Sequence, residues 1–142
     1  MVSLIIVSVL LFLLSVVLSL VKIDLSAACG IYIAVNFGVA PGIAVGICSK
    51  ILSGIIRAKL DHRTIIHIFG LIAVIALHLI LKVYLGFNSS FLYLISLVFV
   101  YNLITFPVIQ FVGGDMFKGL LFSAKDFIAS LLLFEIIYTQ SK

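Results

Sequence analysis

The chain has 142 residues, is 65% hydrophobic and only 10% charged, and carries a net charge of +4. That little charge cannot cover the surface of a soluble domain of this size, and no stretch outside the apolar runs is long enough for a catalytic or receptor domain. The positive charge is too dispersed to argue for nucleic acid. The composition predicts one polytopic membrane domain over 1–142, helical rather than barrel-like because its runs are continuously apolar.

In chain order, the first predicted helix covers residues 2–21. No basic residue precedes its apolar run, and the run is longer than the core of a secretion signal, so it reads as a retained helix. Lys22 and Asp24 mark its interface. A short segment, 25–37, follows, and a turn over 38–42 containing Pro41 leads into 43–56. Proline inside a helix removes a donor and crowds the preceding turn. As one helix, 25–56 would be about 48 Å long, against a hydrocarbon core of about 30 Å. The predicted fold class is therefore an all-α integral membrane bundle of six helical segments with a short second helix, or five if Pro41 is only a kink. Across the break, Ser26, Gly30, Ala34, Gly38, Gly42 and Gly46 recur every four positions, a spacing that lets helix backbones approach. Gly38, Gly42 and Gly46 are the predicted helix-packing positions. Cys29 and Cys48 have no metal-ligand spacing and read as packing residues.

The polar connection RAKLDHRT holds the basic cluster Arg57, Lys59 and Arg63, placed against lipid headgroups or water. With six segments and cytoplasmic termini this cluster faces outward, against the positive-inside rule; with five it faces inward. Segment length is the stronger constraint, and orientation stays open. The fourth segment spans 65–85, GFNSS makes a turn, and 91–112 forms the fifth segment, kinked near Pro107. Gly113 and Gly114 make a hinge before a last helix over 115–138. Tyr84, Tyr93 and Tyr138 suit an interfacial belt.

Ionisable groups at membrane depth are expensive and mark candidate sites. Lys125 and Asp126 fall near the middle of the last helix, where one charge costs about 2.5–3.5 kcal/mol. Neighbours in sequence point about 100° apart, so these two need separate partners or water. Either they line a polar cavity, opposite His78 or Asn102, or they form interhelical ion pairs. His67 and His78 are about 16 Å apart along the fourth segment and cannot share a metal ion; His67, near the loop, reads as a packing residue. Asn36, Asn102 and Gln110 are the buried amides; Asn36, beside the break, and Asn102, at mid-span, either bind a polar solute or bridge helices. The candidate substrate-binding set is Asn36, His78, Asn102, Lys125 and Asp126. No Walker loop, nucleophile elbow or metal motif occurs, so neither an enzyme, a cofactor nor a metal is expected.

Asp24, the run FGVAPGIAVGICSK with Phe37, Gly38, Gly42, Gly46 and Lys50, and the run DMFKGLLFSAK with Lys118 and Gly119 resemble the substrate-binding (S) component of energy-coupling factor (ECF) vitamin transporters. That resemblance implies a six-helix plasma-membrane protein that binds a vitamin or similar small-molecule solute. It also implies a transmembrane coupling subunit and ATPase subunits as partners. The chain departs from the pattern in its short length, in a proline three residues after Gly38, and in lacking an A-x-x-x-A face on the first helix. Ser8 with Ser15, or Ser15 with Ser19, is the substitute small-residue face. With no tryptophan in the chain, a ring-stacking pocket must use Phe or Tyr. The same glycine run also resembles MreD-type rod-shape membrane proteins, which implies an envelope scaffold instead. A third reading is an accessory subunit of an ion-translocating complex, with Lys125 and Asp126 in a proton path.

Overall fold

A computed structural model of the chain describes residues 2–58, 60–86, 90–113 and 115–140. It contains six helices: α1 (Val2–Leu20), α2 (Ser26–Phe37), α3 (Val39–Ile56), α4 (His62–Leu85), α5 (Phe91–Phe111) and α6 (Met116–Gln140). No strand occurs among the described residues. Lys59, Gly114 and the 87–89 part of the GFNSS turn lie outside the described residues.

The helix ends follow from local chemistry. Asp61 caps α4 by accepting from the Arg63 and Thr64 amides, and Ser90 caps α5 by accepting from the Tyr93 amide. These side chains satisfy donors that have no partner within the helix. Asp115 does the same for the Phe117 and Lys118 amides at the start of α6. Gly86 ends α4 in the left-handed conformation, with φ 62°.

The break between α2 and α3 is one residue wide. Gly38 alone is non-helical, with φ 125° and ψ 158°, a backbone conformation that residues with side chains avoid. The turn expected over 38–42 is thus narrower than the sequence suggests. Pro41 falls in the first turn of α3, where a missing amide hydrogen breaks no helical bond. In α5, Pro107 lies inside the helix, which continues to Phe111.

The small-residue spacing turns α2 and α3 into a close antiparallel hairpin. A Cβ added at Gly42 would lie 2.5 Å from the Ala34 Cβ, and one at Gly30 would lie 3.1 Å from the Gly46 Cα. Each pair, 34 with 42 and 30 with 46, is equidistant from Gly38. Extending that register brings the C-terminal part of α3 against the start of α2. Nine of the 12 residues of α2 are buried, and it packs against α1, α3, α4 and α5. The core continues from Ile31 and Ile33 into Val74 and Ile75 of α4, Leu94 and Leu97 of α5, and Phe134 of α6.

Outward, the bundle is apolar. Leu10, Val17, Phe69, Val83 and Phe111 are among many large apolar side chains that remain exposed. Among the described residues four helices, α1, α3, α4 and α5, are long and apolar enough to cross a membrane. One expectation is corrected: Ser15 and Ser19 are fully buried inside the bundle, so they form no outward small-residue face on α1.

Candidate functional site

A cavity of about 530 Å³ opens at one end of the bundle. Its walls come from the C-terminal ends of α1 and α3, the N-terminal ends of α2 and α4, the second half of α5 and the first half of α6. Consecutive helices therefore alternate in direction, and the connections α1–α2, α3–α4 and α5–α6 all lie at the cavity end.

The α2–α3 register builds the first polar feature of this end. Lys50 Nζ is carried to the Asp24 carboxylate, where the two form a mostly shielded ion pair. The Ser26 hydroxyl also donates to Asp24 Oδ1, at 2.6 Å. Burial alone would push the Asp24 carboxyl up. The Lys50 ammonium and these hydrogen bonds outweigh it and hold the group well below the usual carboxylate range. From α6, Asp126 Oδ1 accepts the Asp24 backbone N–H at 2.9 Å. The α1–α2 connection is thus fastened from two sides.

Arg57, the residue that ends α3, donates from Nε to the Ser19 carbonyl at 2.8 Å, while its Nη2 is buried without a partner. Ser53 Oγ and both amide atoms of Gln110 are likewise buried and unpartnered, and all three residues line the cavity. His67 Nδ1 and the Tyr101 hydroxyl lie 2.6 Å apart and their rings stack with centroids 5.9 Å apart. Asn102 donates to the Val98 carbonyl and accepts from Ser123 Oγ at 2.7 Å, linking α5 to α6.

Of the five sequence-based candidates, the structure brings two together here: Asn102 and Asp126 both line the cavity. Lys125 is not part of its wall; it donates to the Lys22 carbonyl and lies 5.3 Å from the Phe122 ring centroid. His78 is buried elsewhere, 2.7 Å from the Tyr93 hydroxyl. Asn36 is exposed at the end of α2 and donates to the Tyr32 carbonyl of its own helix. Among the glycines, Gly42 and Gly46 are close-packed, whereas Gly38 serves through its backbone conformation and has nothing nearer than 3.9 Å.

Arg57, His67, Tyr101 and Gln110 also line the cavity; Arg57 borders a polar loop and His67 lies near a helix end, so neither stands out from the sequence as a site residue. The usable signal was the symmetry of small residues about Gly38, which fixes the register and puts Asp24, Lys50 and Arg57 at one end. No group of three or more His, Cys, Asp or Glu side chains suited to a metal ion occurs among the described residues. What the arrangement offers is a ligand-sized recess whose wall combines charged side chains with ring faces.

In comparison with known proteins, the chain matches no family model, no curated protein and no solved structure.

Proposed function

We propose that this chain is an integral plasma-membrane protein that binds a small solute, as the substrate-binding subunit of an ECF-type transporter for a vitamin or similar compound. The observation that carries the reading is the cavity, a mainly apolar recess with a few charged and polar side chains in its wall. An otherwise apolar bundle holds a recess of about 530 Å³ whose walls include Asp24, Lys50, Arg57, Gln110 and Asp126, within the size range of about 300–1,000 Å³ usual for ligand sites. The exposed apolar side chains of α1, α4 and α5 suit contact with lipid, since soluble monomers rarely present continuous apolar faces of that kind.

The chain has no nucleotide-binding motif, so energy for uptake comes from partner ATPases through a coupling subunit. An MreD-like scaffold has no use for a ligand-sized recess among its helices, which is why the transport reading ranks above it. Uptake assays test the proposal. Cells expressing the chain with its coupling and ATPase subunits take up the solute in an ATP-dependent manner, and lose that uptake when the chain is deleted. Unchanged uptake combined with a cell-shape defect would replace the transport reading with the scaffold one.

A further inference from the structure

We infer that the rim of the cavity, where the C-terminal ends of α1 and α3 meet, is a site for a phosphate monoester held by Lys22 and Arg57. This goes beyond the solute-binding reading above, because the phosphate can belong to a soluble compound or to a lipid headgroup.

The site starts from an imbalance of charge. Lys22, Lys50, Arg57 and Arg63 line the cavity together with three carboxylates, Asp24, Asp61 and Asp126. Among the described residues two ion pairs form, Lys50 with Asp24 and Lys118 with Asp115. Asp61 is used in capping α4, and Asp126 accepts the Asp24 amide. Lys22, Arg57 and Arg63 are therefore left without a carboxylate partner among the described residues. Lys22 and Arg63 are also exposed, so an incoming anion can reach them.

One oxygen brings two of these cations together. The Ser19 carbonyl accepts the Lys22 backbone N–H at 3.0 Å and Arg57 Nε at 2.8 Å, so the guanidinium lies beside the Lys22 backbone. Lys22 has a left-handed backbone, with φ 63°, and its own carbonyl accepts from Lys125. Held on both sides, the residue has a fixed point from which its side chain leaves. From there the flexible lysine stem can bring its ammonium to an anion that Arg57 also touches.

The state of the guanidinium selects phosphate over carboxylate. Nε is committed to Ser19 and Nη2 is sealed, whereas Nη1 is neither hydrogen-bonded nor among the buried atoms. Carboxylates are best met by two parallel N–H bonds from a guanidinium edge, and Arg57 has no free edge with two nitrogens. A phosphate monoester spreads nearly two charges over three acceptor oxygens. One oxygen takes Nη1 and another takes the Lys22 ammonium.

Three small probes differ only in the charged group: glycerol 3-phosphate, glycerate and glycerol. Calorimetry on the full chain in phosphatidylcholine nanodiscs should find glycerol 3-phosphate bound at least about tenfold more tightly than glycerate, with glycerol weaker still. Lys22→Gln should weaken glycerol 3-phosphate by about tenfold, and Lys22→Arg should restore it, which separates lost charge from lost folding. Lys118→Gln, which removes an exposed cation outside the cavity wall, should change nothing. Nanodiscs that also contain phosphatidic acid identify the source of the phosphate. Retention of phosphatidic acid in native mass spectra of the parent chain but not of Lys22→Gln, with weaker glycerol 3-phosphate binding in those discs, makes the site a headgroup site. Unchanged glycerol 3-phosphate binding there makes it a site for a soluble phosphate. Glycerate bound as tightly as glycerol 3-phosphate, or equal affinity in Lys22→Gln and the parent, overturns the inference. So does the absence of both glycerol 3-phosphate binding and phosphatidic acid retention.

Discussion

At the scale of single residues, the Asp24–Lys50 pair is the strongest constraint at the cavity end. Its two side chains are only 17% and 14% exposed, so removing one charge strands the other in a poorly solvated place. Asp24→Asn or Lys50→Met should each cost about 3–5 kcal/mol, and the double replacement should cost less than the sum. Thermal unfolding in detergent reads the cycle, and additive losses would show that the pair is not coupled. The Asp24 carboxyl is held below its ordinary value of about 3.9. Its contribution is therefore complete above that pH and disappears as pH falls through the lower folded value. The wild-type chain should lose stability at acid pH along a limb that Asp24→Asn lacks. Lys125 and Asp126 separate in the same way. Lys125→Met removes one partly exposed contact to the Lys22 carbonyl and should shift stability by less than about 1 kcal/mol, with solute affinity unchanged. Asp126→Asn keeps an oxygen to accept the Asp24 amide but alters the cavity wall, so affinity should fall while the melting temperature holds. Lost stability with intact affinity would make Asp126 a structural residue. Asn102 and Asp126 were legible in the sequence because polar groups at mid-span stand out. His78 and Lys125 carry the same signal, yet their partners, the Tyr93 hydroxyl and the Lys22 carbonyl, are set by packing that no spacing rule reveals.

At the scale of elements, the α2–α3 hairpin shows how one pattern serves two purposes. Small residues every four positions on both sides of Gly38 let two helices touch backbone to backbone, and the same symmetry delivers Lys50 to Asp24. The three glycines should respond differently to alanine. At Gly42 the new Cβ meets the backbone and Cβ of Ala34 at 2.5–2.6 Å, contacts that only separating the helices can relieve, for a cost of about 1–3 kcal/mol. At Gly46 the first obstacle is the Leu71 side-chain tip, which can change rotamer, so the loss should be smaller. At Gly38 the space is open but φ is 125°, and the penalty is backbone strain of about 1–3 kcal/mol. Melting temperatures of the three variants give the order, and equal tolerance of alanine at Gly42 and Gly46 would contradict the close-contact geometry. The helix count and most boundaries were legible from run length and turn residues. The width of the turn was not, since proline in a first turn and proline in a break look alike until the register is known.

At the scale of the whole molecule, the alternating helices put three connections at the cavity end, and this fixes an expectation for how the bundle sits in a bilayer. α2 has 12 residues, a rise of about 18 Å, too little to cross a hydrocarbon core of about 30 Å. In a bilayer the chain would turn at Gly38 before reaching the far side and return through α3, so the segments either side of the hairpin, near Val21 and near His62, should meet the same aqueous phase. A single helix over 25–56 would place them on opposite sides. Cysteines introduced one at a time at Val21, His62, Met116 and Tyr84, in a Cys29→Ala, Cys48→Ala background, distinguish the two arrangements. All four positions are exposed, so a membrane-impermeant maleimide can report on each. Positions 21, 62 and 116 should label from one side of sealed vesicles and position 84 from the other. Labelling of 21 and 62 from opposite sides would contradict the six-segment arrangement in the membrane and would split the walls of the cavity between two compartments. Labelling of all four from both sides would show that the bundle does not seal across the bilayer.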